Sequence, residues 1–136
     1  MQRKASAIWK GGLKDGKGSV SSASTVLNNT PYSFSTRFEN TPGTNPEELI
    51  AAAHSGCFAM KLSFVLQGLG ITPDSLDVQS EVTLDNGTIT KSHLTLKAKV
   101  PGITPDQFKA ATEEAKLNCP VSKLLNAQIT LDASLV

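Results

Sequence analysis

Two cysteines are the residues best suited to do chemistry in this chain of 136 residues. Cys57 has Ala53, His54, Met60 and Lys61 three and four positions away, the spacing at which side chains meet on a helix. Most free cysteines are small buried hydrophobes, and that reading stands beside a reactive one. A thiol ionises at neutral pH only beside positive charge or a helix N-terminus. Lys61 and His54 on the same segment, and Arg37 from the segment before it, are the candidates for that charge. Cys119 precedes Pro120 and reads as the cap of a short helix over Pro120–Asn126, with the amides of Val121 and Ser122 aimed at its sulfur. A cap-like turn with an incidental cysteine is the equal alternative. The two cysteines are 62 residues apart, so no local motif links them and only the fold could bring them together.

The other chemistry-bearing residues have plain structural readings. Arg37 lies between Ser35 and Glu39 on the polar face of an alternating segment, where an arginine is usually solvated. Glu47 and Glu48 are most simply first-turn acids favoured by a helix dipole. His54 and His93 each stand alone and read as packed or hydrogen-bonded, and two cysteines without a close histidine pair give no zinc pattern. Trp9 and Tyr32 read as core or interface residues.

The elements that must position these groups follow from patterning. Ala5–Trp9 is a short strand, a Gly/Lys turn follows to Gly18, and Val20–Leu27 alternates in part. Asn28-Asn29-Thr30-Pro31 is a turn, and Tyr32–Phe38 alternates as a strand carrying Arg37. Asn45, Pro46 and the acids Glu47 and Glu48 are a helix start. The helix runs to Gln67, before Gly68 and Gly70, and is apolar nearly all round, which predicts a buried helix lying across a sheet or in a subunit interface. Leu76–Leu84, the turn Asp85-Asn86-Gly87 and Ile89–Val100 form a hairpin. Thr104 caps a second helix over Pro105–Leu117, and Gln128–Val136 is a last strand. That order is α+β with antiparallel sheet in a single domain, residues 1–136.

Composition bounds the function. With 39% hydrophobic and 18% charged residues the chain is globular, and a net charge of +1 argues against a nucleic-acid or membrane partner held by bulk electrostatics. The apolar uncharged run Leu49–Met60 is too short to span a bilayer, and Met1–Lys10 lacks the apolar stretch of a signal peptide, so a cytoplasmic protein is expected. A reducing cytosol keeps both cysteines as thiols unless they cycle.

Taken in order, several motifs resemble the OsmC/Ohr family of organic hydroperoxide reductases: Lys17-Gly18, Pro31-Tyr32 with Thr36-Arg37-Phe38-Glu39, Gly43-Thr44-Asn45-Pro46-Glu47-Glu48-Leu49, Ala52-Ala53-His54 with Cys57-Phe58, Cys119-Pro120-Val121-Ser122 and Ile129-Thr130-Leu131. Each is weak alone; together they cover nearly the whole chain. The resemblance implies a thiol peroxidase of the oxidative-stress response, with Cys57 peroxidatic, Cys119 resolving through a Cys57–Cys119 disulfide, Arg37 the activating cation and Glu47 the acid that holds it. It implies antiparallel sheets around a long buried central helix in an intertwined homodimer, with no metal or organic cofactor. The partners it implies are an organic hydroperoxide substrate and a dithiol reductant such as a lipoylated protein. Ile50, Phe58, Met60 and Phe64 would form an apolar wall favouring organic over hydrogen peroxide. One tension is geometric: on a continuous helix Glu47 lies about 15 Å from Cys57. The two could then share a site only through a helix break or later start, through Arg37 as a bridge, or through a partner chain. A thiol redox sensor and a non-catalytic binder of apolar ligands are the competing readings.

Overall fold

The N-terminal residues build a small sheet. β1 (Ala5–Lys10) pairs antiparallel with β2 (Lys17–Ser22), and β2 with β3 (Thr30–Tyr32). Gly18 is required in this sheet, since a Cβ there would strike the rings of Trp9 and Tyr32, which pack with centroids 5.5 Å apart. The computed structural model describes all residues from Met1 to Val136, and it divides into two compact units, Met1–Leu49 and Ile50–Val136.

The expected strand Tyr32–Phe38 is not one. β3 stops at Tyr32, and Phe34–Phe38 forms a one-turn helix, α1, which carries Arg37. Ser33 is extended and caps it in a capping box with Thr36. Phe34 and Phe38, four apart, then stack with centroids 4.8 Å apart. The alternation of Tyr32, Phe34 and Thr36 imitates a strand, but the local hydrogen bonds decide the backbone.

α2 (Pro46–Gly68) starts as its sequence demands. The Asn45 side chain accepts from the Glu48 amide at 2.8 Å and donates to the Thr36 carbonyl, tying α1 to the start of α2. The helix is unbroken, Gly56 included. It is not buried all round: only His54, Phe58, Leu62 and Leu66 are, while Ala53, Gly56, Met60 and Phe64 form an exposed apolar stripe. By length and composition α2 could cross a membrane, but its buried side belongs to a protein core.

That core is made by the second unit. β4 (Ser75–Asp85) and β5 (Thr88–Lys99) form a long hairpin through Asn86 and Gly87, both at positive φ as a primed turn requires. α3 (Pro105–Asn118) and α4 (Pro120–Leu124) then return the chain to β6 (Gln128–Leu135). β6 pairs with β5 in parallel, a departure from the all-antiparallel expectation, because the helical crossover brings the chain back to the end where β5 began. β5 is thus central, and its inward residues Leu94, Leu96 and Ala98 meet Phe58, Leu62 and Leu66 of α2 and Phe108, Ala111 and Ala115 of α3.

Candidate active site

The four polar residues singled out from the sequence fall into two pairs, one in each unit. In the first, Arg37 at the end of α1 forms a forked ion pair with Glu47 in the first turn of α2. Its Nε donates to both carboxylate oxygens at 3.1 and 3.2 Å, and Nη2 donates to one at 2.8 Å. These hydrogen bonds raise the guanidinium pKa further, so Arg37 is a fixed positive charge. Its guanidinium also lies over the Phe38 ring, 5.1 Å from the centroid. Beside it Trp9, Leu13, Tyr32, Phe34 and Phe38 line a small aromatic cleft.

In the second pair, half-buried Cys57 on α2 lies near Cys119, which is fully buried between α3 and α4, close enough for Cys119 to influence the Cys57 thiol. Cys119 is the residue that caps α4, but its sulfur accepts no capping bond. The Val121 amide instead favours the ionised form of Cys57. Burial pushes the Cys57 thiol up, Cys119 pushes it the same way, and the Val121 amide opposes both. No cation of the second unit acts on it. Lys61, one candidate activator, lies over the Phe64 ring. His54, the other, is buried, and burial lowers its pKa so that it stays neutral.

His54 is held from both sides. Nδ1 meets Ser92 Oγ at 2.6 Å and Nε2 meets Ser122 Oγ at 2.8 Å, and Ser80 Oγ continues the chain to Ser92 at 3.0 Å. Ser92 carries no signal in the sequence and Ser122 stands out only within the Cys119-Pro120-Val121-Ser122 motif, and they lie 38 and 68 residues from His54.

The expected apolar wall does not form on one face of a single chain. Phe58 is wholly buried in the core, Ile50 is half-buried, and Met60 and Phe64 are 78% and 66% exposed on another side of the helix. Two positions turn a helix by about 200°, so Phe58 and Met60 cannot share a face. The unbroken α2 also excludes a helix break as the way to bring Glu47 to Cys57.

Neighbouring thiols, and an arginine held by a carboxylate, are groups that thiol redox chemistry can use. Comparison with known proteins gives the family. Residues 38–134 match the family profile described as OsmC-like protein. The chain is 49% identical to Peroxiredoxin OsmC of Escherichia coli (strain K12), over 99% of this chain and 97% of that one. An organic hydroperoxide resistance protein from Elizabethkingia anophelis is 27% identical, with a TM-score of 0.72 over 100% of this chain and 99% of that one. An OsmC-like protein from Mycoplasma pneumoniae shares the fold at a TM-score of 0.78 and 12% identity, covering 100% and 98%. The chain belongs to the OsmC-like family, and it is an enzyme of the peroxidase type.

Proposed function

We propose that this protein reduces organic hydroperoxides to alcohols at Cys57. The observation that carries the reading is the juxtaposition of a half-buried thiol, Cys57, and a fully buried one, Cys119, at the start of α4. The Cys57 thiolate attacks the distal peroxide oxygen, the O–O bond breaks, and the departing alkoxide takes a proton to become an alcohol. The resulting sulfenic acid condenses with the Cys119 thiol: the S–O bond breaks, an S–S bond forms and water leaves. An external dithiol, such as a lipoylated protein, reduces the disulfide by exchange.

A thiol whose pKa burial has raised needs a cation to ionise, and this reading assigns Arg37, with Glu47 as the acid that orients its fork. The assembly it implies is an intertwined homodimer, each chain a single domain over residues 1–136, located in the cytoplasm. Two features support an assembly: the exposed apolar stripe of α2, and the exposed Ile8, Leu13 and Val26 of the first unit. Ile50, Met60 and Phe64 are the apolar wall selecting organic over hydrogen peroxide, with Phe58 supporting them from the core.

The test is a thiol count during titration with cumene hydroperoxide. Loss of both thiols at one equivalent, restored by a dithiol, is expected. Cys57→Ser removes all peroxide consumption, and Cys119→Ser reacts once and then stalls. Full activity in Cys57→Ser would sink the reading.

A further inference from the structure

We propose that His54 is the positioning residue of the resolving step, holding the start of α4 so that Cys119 faces Cys57. The inference rests on the peroxidase reading and assigns a task to a buried group that the reading leaves unused.

The geometry is a pair of rungs. His54 and Cys57 are three residues apart on α2, and Cys119 and Ser122 are three residues apart across the start of α4. His54 Nε2 meets Ser122 Oγ at 2.8 Å, and Cys57 lies near Cys119. The hydrogen bond and the thiol pair therefore lie one helical turn apart on the same two elements, in antiparallel order, and the hydrogen bond is the tie between them. α4 has five residues and no side-chain cap, and a helix of that length has no stability of its own. Its buried polar tie is Ser122 to His54.

His54 can act as a clamp because it is itself fixed. Ser92 of β5 takes Nδ1 at 2.6 Å, and Ser80 of β4 takes Ser92. The neutral ring donates through one nitrogen and accepts through the other, so the hydroxyls on its two sides need no charge to complete the chain. His54 and Ser92 are fully buried, and no buried polar side-chain atom in the protein lacks a partner. A disulfide demands close approach of the two Cβ atoms, so the second step of catalysis is sensitive to where α4 begins. The first step is less so, because peroxide meets Cys57 and not the buried Cys119.

The experiment separates the two steps by stopped flow with cumene hydroperoxide, trapping the Cys57 sulfenic acid with dimedone. In Ser122→Ala and in His54→Asn, which keeps only the nitrogen facing Ser92, disulfide formation slows by about 10- to 10²-fold, the cost of a small misplacement. Peroxide attack changes by less than about threefold, and the dimedone adduct accumulates. His54→Gln, which keeps a group facing Ser122, recovers most of the second step. Equal slowing of both steps, or an unchanged second step in variants that keep the wild-type melting temperature, overturns the proposal. A separate arm needs no peroxide: the Cys57–Cys119 disulfide is equilibrated against oxidised and reduced dithiothreitol. There the effective concentration of the two thiols falls about tenfold or more in Ser122→Ala, and an unchanged value overturns the clamp. If the wild type ignores cumene hydroperoxide, the peroxidase reading fails while this arm still decides the role of His54.

Discussion

The two units spend their apolar residues in opposite ways. In Ile50–Val136, eleven hydrophobic residues from α2, β5 and Val100 just after it, α3 and the α3–α4 junction bury themselves against one another, and Cys119 is one of them. In Met1–Leu49 the one buried residue is Gly16, and Ile8, Leu13 and Val26 stand 56%, 67% and 86% exposed. The second unit has the hydrophobic content of a folded core; the first is held by backbone ladders, caps and the Arg37–Glu47 pair. A thiol pair thus sits in rigid surroundings, and the fixed charge sits on a unit that lacks a core of its own. Under the proposed function, the second chain of a homodimer supplies what the first unit lacks.

The contrast is broken most forcefully through stability. Leu62→Ala, at a wholly buried position, removes packing that nothing refills and costs about 2–5 kcal/mol in urea unfolding. Ile8→Ala costs no more than about 0.5 kcal/mol if its side chain stays solvated. If the first unit is covered in a homodimer, the loss is larger and grows on dilution, because association then contributes to stability by mass action. A small, concentration-independent loss at Ile8 would leave the first unit uncovered and count against the dimer.

Next comes the charge. Arg37→Met removes the fixed cation and should slow peroxide attack about 10²-fold, the usual scale for losing one preorganised charge-stabilising group. The folded core of the second unit is untouched by it, so the melting temperature stays near the wild-type value. Arg37→Lys keeps the charge and loses the fork seen with Glu47, and should fall in between. An undiminished rate in Arg37→Met would separate the two pairs functionally.

The same contrast explains what could be read from the sequence. The second unit was legible because its elements follow their own periodicity: β4 alternates, the Asp85-Asn86-Gly87 turn needs positive φ at two positions, and α3 opens on Thr104 and Pro105. The parallel pairing of β6 was not, since a strand's sequence does not say which way its neighbour runs. α1 is hidden in the sequence because a five-residue helix leaves too short a pattern to outweigh alternation, although Ser33 and Thr36 carry its cap. Cysteines 57 and 119 were visible as types, but their contact belongs to the tertiary fold, as does the tie from His54 to Ser92 and Ser122. The sequence points the α4 amides at the sulfur of Cys119, yet that side chain makes no capping bond and is buried in the core.

The finest distinction between the units lies in the pH dependence of stability. His54 is held below its ordinary pKa by burial, so the unfolded chain takes up that proton first as pH falls. Its contribution is complete above about pH 6.5 and is lost as pH falls below that value. Cys57 is shifted the other way: burial and Cys119 keep the folded thiol protonated where the unfolded one ionises. Its contribution is complete below about pH 8.5 and is lost as pH rises through it. A cation beside the thiolate reverses that second sign, because the folded thiol then ionises first. Urea midpoints between about pH 5 and pH 9 should therefore show an acid fall in the wild type that is absent in His54→Gln. They should show an alkaline fall in Arg37→Met that the wild type lacks. An alkaline fall of equal size in both proteins would mean that burial alone governs Cys57, and that the charge of the first unit does not act on the thiol of the second.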